Sequence, residues 1–298
     1  MTDLLRSDVS VFRSARSIIA ESLWWDGTAM RWCDIDSGLV YRSPLAGDAD
    51  GSDDETLLFP PPVSAFQPLA SGDGIVYSGA DFIAIAGSVG EIRRVVARVE
   101  HHSGRLRFNE AKCDPVGRFI TGSMNLDNEL DGAIYSITEA GRVRILIGGI
   151  GVANGFEWSD DGGTMWFTDT ATKTIYRGDY SAEGELHNVE PFVHGRMSDG
   201  LACDADGGFW SGIYDSGHVV HWSSDGIPDL EFDVPGVHVT SLAFGGPVLS
   251  TLFIATAREN CTEQQLVEHP LTGSIFQVET TAHGYPVRAF GTPQKGSQ

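Results

Sequence analysis

The chain is 298 residues long and carries 41 acidic against 20 basic residues, a formal net charge of −21 at pH 7. Its only lysines are Lys112, Lys173 and Lys295, so it has no basic face with which to hold nucleic acid or an anionic membrane. At 41% hydrophobic and 20% charged residues it is globular rather than disordered, and no apolar run approaches the length of a membrane-spanning helix.

The opening Met1-Thr2-Asp3-Leu4-Leu5-Arg6-Ser7-Asp8 lacks the apolar stretch and cleavage site of a signal peptide, which gives the expectation of a cytoplasmic protein. Val9-Ser10-Val11-Phe12 then alternates like a strand. Ser22 to Pro44 reads as strand, Asp26-Gly27 turn, strand, short polar turn, strand. Ala65 to Ile92 is a weaker copy around Gly72-Asp73-Gly74, and Ala111 to Gly141 a copy with a longer insertion. Gly155 to Tyr180 repeats the order with its turn at Asp160-Asp161-Gly162-Gly163, as does Gly200 to Gly226 with Asp204-Ala205-Asp206-Gly207. Thr240 to Val278 ends the series, with Phe244-Gly245-Gly246 at the turn and Leu252-Phe253-Ile254 as the next strand.

The turns start near residues 26, 73, 114, 160, 204 and 245, about 40 to 47 residues apart. Val, Ile, Trp, Phe and Tyr alternate between Gly and Asp turns, which marks β-strands, and no segment carries a long helical period. Six units of four short strands predict an all-β fold, a six-bladed β-propeller with antiparallel blades. The Gly-His and Trp-Asp pairs of a WD-repeat propeller are missing apart from Trp25-Asp26. The ring closes if Val9–Phe12 supplies the outer strand of the last blade, beside Gly273 to Val278. No linker interrupts the pattern. Residues 1–298 are therefore expected to form a single domain with its core at about 8–290 and a tail at 291–298.

Three polar residues stand just before short apolar strands in three different units: Glu21, Asn154 and Asp199. In a propeller the innermost strand of each blade lines the central channel, and its first residues lie at one mouth. One Glu, one Asn and one Asp converging there would make a hard, oxygen-only site for a divalent cation. Arg107-Phe108-Asn109-Glu110 stands at another such strand start and would bring an Arg beside it. Asn-Gly and Asp-Gly dipeptides also occur simply as turns; three polar residues at equivalent repeat positions weigh toward a site. The adjacent His101-His102 reads as a solvated loop, and the other histidines have no zinc spacing. Cys33, Cys113, Cys203 and Cys261 show neither zinc-knuckle nor redox spacing and are expected to be small buried hydrophobes. There is no nucleophile elbow, phosphate loop or dinucleotide fingerprint.

From about Ile18 to about Val287 the chain resembles the senescence-marker protein, gluconolactonase and regucalcin-like family of six-bladed propellers. The resemblance lies in the Glu before a Trp-rich first strand, RFNEAKCDPVGRFITGSM, VANGFEWSDDGGTMWFTDT, MSDGLACDADGGFW and LAFGGPVLSTLFIATAREN. It implies one divalent metal ion held by Glu21, Asn154 and Asp199. Oxygen ligands suit calcium, magnesium or manganese, and zinc or iron(II) with added waters. It further implies that Arg107 and Asn109, with Glu110 beside them and Asp127 from the loop after Met124, bind the substrate. Two places depart from the family pattern: Ser22-Leu23 replaces Gly-Pro, and Asn109-Glu110-Ala111 replaces Asn-Asp-Gly. The implied activity is hydrolysis of a small-molecule sugar lactone to the aldonic acid, with Asp199 as general base. A promiscuous esterase or phosphotriesterase on the same metal, and a non-catalytic metal- or ligand-binding propeller, are the rival readings. The protein is expected to be a monomer or weak homodimer.

Overall fold

The alternating segments form 24 strands in six four-stranded antiparallel sheets in the computed structural model, which describes residues 9–291. The innermost strands of blades 1 to 6 are Ala20–Trp25, Ala65–Pro68, Leu106–Cys113, Ala153–Trp158, Ser198–Cys203 and Val239–Gly245. Each packs against the inner strands of the two neighbouring blades, which closes a ring around one axis. In every blade the outermost strand is the most exposed. Ser198–Cys203 is wholly buried, whereas the outer strand of blade 1, Glu55–Leu58, is mostly exposed. The core consequently lies between blades, in aromatic and aliphatic clusters that each draw on two adjacent sheets.

The Asp of the Asp/Gly turns has a structural task. In blade 1 the Asp26 carboxylate accepts the Thr28 and Ala29 N–H groups and both the Arg31 and Arg42 guanidinium groups. In blade 3 Asp114 accepts the Val116 and Arg118 N–H groups and the Tyr180 hydroxyl of blade 4. In blade 5 Asp204 accepts the Asp206 and Gly208 N–H groups, Trp210 Nε1 and His221 Nε2. One short side chain therefore closes a turn and ties it to a neighbouring strand, which is why the repeat carries Asp there.

The chain termini close the ring as expected. Ser10–Arg13 pairs antiparallel with Ile275–Glu279, Val11 opposite Phe276, as the outermost strand of blade 6. Phe12 meets Phe253 edge-on with ring centroids 4.9 Å apart. Arg13 is 2% exposed; its Nε bonds Asp54 Oδ1 at 2.8 Å and its Nη2 donates to the Pro44 carbonyl at 2.6 Å. Blade 6 is thereby fastened to blade 1. The segment 292–298, read as a tail, lies outside the described residues. The four cysteines are free thiols, and three of them are buried.

One element has no counterpart in the sequence reading: a six-residue helix, Glu263–Glu268, between the second and third strands of blade 6. Thr262 caps it, and Gln265 reaches back to the Thr262 N–H, completing a capping box. Its signal is only this Thr-x-x-Gln, because the helix buries no residue and so has no apolar period. Among the described residues no helix is long and apolar enough to cross a membrane.

Removing one member of a buried ion pair leaves the other uncompensated, at a cost of about 3–5 kcal/mol. Asp54→Ala and Arg13→Met are therefore each expected to destabilise the protein by about 3 kcal/mol, measured as shifts in urea-unfolding free energy. Equal, negligible losses in both variants would show that the ring does not depend on this clasp.

Candidate functional site

The inner strands share one irregularity. In five of the six blades the first two strands slip register by one residue: between Glu21 and Trp24, Phe108 and Ala111, Asn154 and Glu157, Ser198 and Leu201, and Val239 and Leu242. In each, three steps on the inner strand oppose two on its partner, a β-bulge that re-aims a side chain. Only Ala65–Pro68 of blade 2 pairs without a slip. Glu21, Asn109, Asn154, Asp199 and Thr240 stand at or immediately beside these bulges, and all five line one cavity of about 270 Å³ at one mouth of the ring.

The residues that follow them explain the local sequence. Gly155 has φ +42°, and a Cβ there would collide with the Asp199 carbonyl oxygen. A Cβ at Gly200 would stand 2.6 Å from the Thr240 carbonyl oxygen. Asn154-Gly155 and Asp199-Gly200 are thus not loop turns. Both lie inside strands, and glycine is required because adjacent inner strands crowd at the axis. Ser22 takes the equivalent place in blade 1 at φ +57°, a conformation rarely adopted by residues with a side chain. Its hydroxyl answers this by pairing with blade 2, donating to the Phe66 carbonyl at 3.1 Å and accepting the Phe66 N–H at 3.0 Å.

Two aspartates hold the approach to the cavity. Asp34 accepts the Ile18 and Ile19 N–H groups, and Asp169 accepts those of Gly151 and Val152. Each clamp ends two residues before a cavity residue, Glu21 in one case and Asn154 in the other.

Glu21, Asn154 and Asp199 are 6%, 3% and 5% exposed. Asn154 Nδ2 donates to Thr170 Oγ1 at 2.9 Å, and its Oδ1 accepts Asn109 Nδ2 at 2.7 Å. Glu21 Oε2 accepts the Ser22 N–H at 2.7 Å. Asp199 Oδ1 is buried with no hydrogen-bond partner among the described residues. Burial raises the Glu21 pKa well above the ordinary carboxylate value, and the charges of Glu110 and Asp199 raise it further. The Asp199 pKa is raised in the same way by burial and then by Glu110 and Glu259. Arg107 lines the same cavity, with its Nη1 held by the Phe108 carbonyl at 2.8 Å and Asn109 Oδ1 at 3.0 Å. Burial depresses its pKa, against the pull of Asp36, Glu259 and Glu21.

Two residues from the sequence reading sit elsewhere. Glu110 faces a narrow axial channel of about 20 Å³ beneath the cavity, with Ser22, Gln67 and Ser241. One of its oxygens accepts the Ala111 N–H at 2.7 Å, and burial pushes its pKa up to about 7. Asp127 is outside the cavity and pairs with Arg105 at 2.6 Å, while its neighbour Asn128 lines the wall. The cavity also takes in Thr170, Lys173, Tyr214, Glu259 and Asn260, none of which the sequence reading identified. Thr170 had a signal, since Asp169-Thr170 repeats the position of Asp34-Ile35. Lys173 stands in the short polar turn of its repeat, at the place of Gly38 in blade 1, where it reads as a turn residue, and Glu259 and Asn260 come from the long connection of blade 6 and had none. His101 packs against Phe108 and Tyr135, away from the cavity.

The donor set is two carboxylates and one amide, all oxygen, and among the described residues no group of three His, Cys, Asp or Glu side chains is placed to hold a metal ion. A divalent cation nevertheless suits it. The unpartnered Asp199 Oδ1 and the mutually repelling buried carboxylates are what a hard cation would satisfy.

Comparison with known proteins agrees with this architecture. Residues 19–258 match the family described as the SMP-30/Gluconolactonase/LRE-like region, and the chain belongs to that family. The pentonolactonase XacC of Haloferax volcanii is 30% identical over 271 residues, 88% of this chain and 90% of that protein. The 6-deoxy-6-sulfogluconolactonase of Pseudomonas putida is 30% identical over 279 residues, 90% of this chain and 93% of that protein. The crystal structure of regucalcin from Agrobacterium tumefaciens, described as a calcium-binding protein, superposes with a TM-score of 0.85 at 24% identity, covering 96% of this chain and 97% of that one.

The acidic cluster gives stability a pH dependence. A carboxyl whose pKa is raised by folding holds its proton more tightly in the folded than in the unfolded chain. Its contribution is intact below its ordinary value of 4.5 and lost as pH rises through about 7 for Glu110. With chelator present, the melting temperature is expected to fall between about pH 5 and pH 8, and Glu110→Gln to flatten that fall. A variant whose pH profile matches the wild type would remove Glu110 from the explanation.

Proposed function

We propose that this protein hydrolyses a sugar lactone to the aldonic acid at the mouth of the propeller. The observation that carries this reading is the convergence in one cavity of Glu21, Asn154 and Asp199 with Arg107 and Asn109, the last bonded directly to Asn154. Two relatives about 30% identical over most of the chain, a pentonolactonase and a 6-deoxy-6-sulfogluconolactonase, support the substrate class.

Glu21, Asn154 and Asp199 would hold one divalent cation. Bound there, it would supply polarisation of the lactone carbonyl and stabilise negative charge on the carbonyl oxygen in the transition state. Arg107 offers its remaining guanidinium N–H groups to oxygens of the lactone, and Asn109 is fixed toward the same space by its contact with Asn154. Asp199 acts as general base. The carboxylate oxygen that the cation would leave free accepts a proton from the attacking water. Water attacks the carbonyl carbon, the ring C–O bond breaks, and the proton passes to the departing ring oxygen.

A pH-indicator assay on a panel of aldonolactones, with chelated protein and each divalent cation restored in turn, tests the reading. Cation-dependent acid release is expected, and Asp199→Ala is expected to lower kcat by about 10³-fold and to weaken cation binding in calorimetry. Near-normal turnover by Asp199→Ala would remove it as the base. Silence of the wild type across the panel, with a cation shown to bind, would favour a ligand-binding propeller instead.

A further inference from the structure

Glu259 is the one carboxylate of the cavity that belongs to neither the cation set nor the axial channel. It lies in the connection between the second and third strands of blade 6, and in a six-bladed ring blade 6 stands opposite blade 3, which carries Arg107. Both side chains line the same cavity, yet no ion pair joins them, and no hydrogen bond reaches the Glu259 carboxylate among the described residues. The carboxylate is half-buried, and its pKa is raised by burial against the opposing pull of Arg107.

The backbone that presents Glu259 is held firmly. Both the Arg258 and Glu259 N–H groups donate to the Ile18 carbonyl at 2.9 Å, and Ala257 bridges Ile19. Asn260, at φ +60°, donates from Nδ2 to the Tyr214 hydroxyl at 3.0 Å. Tyr214 in turn stacks on His238, 4.5 Å between ring centroids. Such anchoring fits a contact residue, which must be in place before the ligand arrives.

We propose that Glu259 determines specificity by accepting hydrogen bonds from adjacent hydroxyl groups of the substrate, opposite the donor fork of Arg107. This deepens the lactonase reading and rests on it. A ligand lying between these walls meets the Arg107 donors on one side and the Glu259 carboxylate on the other. Carbonyl and ring oxygens suit the first, and a pair of hydroxyls suits the second. The site thereby selects polyhydroxylated lactones over aliphatic lactones and aryl esters, which have no hydroxyl to give Glu259. Such esters would leave a partly desolvated carboxylate unpaired.

The test compares wild type, Glu259→Gln and Glu259→Leu on two lactones of one ring size, an aldonolactone and its unsubstituted parent. In Glu259→Leu the KM for the aldonolactone is expected to rise about tenfold or more with kcat within about twofold, and both constants for the parent ring to stay unchanged. Glu259→Gln, which keeps one acceptor, falls between. Unchanged KM for the aldonolactone, or equal losses on both substrates, overturns the proposal. A second readout separates it from the reading it rests on: calorimetric binding of the non-hydrolysable lactam with the same hydroxyls. If the wild type hydrolyses no lactone but binds this lactam, and Glu259→Leu weakens binding about tenfold, the hydrolytic reading falls and the hydroxyl contact stands. Equal lactam binding by wild type and variant overturns the contact, and a wild type that neither hydrolyses nor binds overturns both.

Discussion

The crowding of inner strands around one axis is the constraint from which the site follows. Six strands that start at the same mouth cannot all keep regular pairing with their own blades and still clear one another. Five of them take in an extra residue at the same height. The bulge turns one side chain toward the axis and forces the next residue into close contact with the neighbouring blade, which accounts for Gly155 and Gly200. Where the chain has a side chain at that place, its polar atoms are committed. Ser22 bonds the Phe66 backbone of blade 2, and the Glu110 carboxylate turns back onto the Ala111 N–H. Both departures from the familiar family pattern are therefore accommodated by the same local geometry.

Electrostatics sets the opposite demand. Burial raises the pKa values of Glu21 and Asp199 in the mouth and of Glu110 in the channel beneath it, and the Glu110 charge raises the first two further, so the cluster is costly when ionised and unpartnered. The fold resists it with rigid clamps as well as with countercharge. Asp34 and Asp169 take up backbone N–H groups just before Glu21 and Asn154, so the strand starts are fixed whatever the side chains do. Arg107 draws on Glu21 from the cavity wall and Lys112 on Glu110 from the channel, and Arg107 is itself held by Phe108 and Asn109. A site that is strained in charge but fixed in backbone is preorganised for a cationic ligand.

Much of this was legible in the sequence, for a physical reason. Repetition made it so: a polar residue before an apolar strand followed by an Asp/Gly turn means little once, but three equivalent copies specify a common height in a ring. The blades, the ring closure through Val9–Phe12 and the five cavity residues Glu21, Arg107, Asn109, Asn154 and Asp199 all follow the period. Most of what escaped lies off the period. Glu259 and Asn260 stand in a long connection whose path is set by tertiary contacts, and the helix Glu263–Glu268 buries nothing and so leaves no apolar pattern; Lys173 alone of these is on the period, where it reads as a polar turn residue. Asp127 shows the converse. It stands in the segment that the resemblance assigns to substrate, but the loop turns at Asn128, φ +59°, and gives Asp127 to Arg105.

The repeat is symmetric while its mouth is not, and the difference lies in how each blade uses one equivalent position. Blades 1, 4 and 5 place Glu21, Asn154 and Asp199 there and leave oxygen atoms toward the axis. Blade 3 places Asn109 and binds it to Asn154, turning the equivalent position into a support. Blade 6 places Thr240, whose hydroxyl donates to the Ala20 carbonyl and so seals the ring beside Glu21. Blade 2 has no bulge, and its strand contributes nothing to the cavity wall. The carboxylate and amide oxygens of blades 1, 4 and 5 therefore come from both sides of the axis, blade 1 standing opposite blade 4, and the remaining blades serve closure and contact. A ligand entering such a mouth meets acceptor oxygens and the Arg107 donors together, which suffices to orient a small ring without enclosing it.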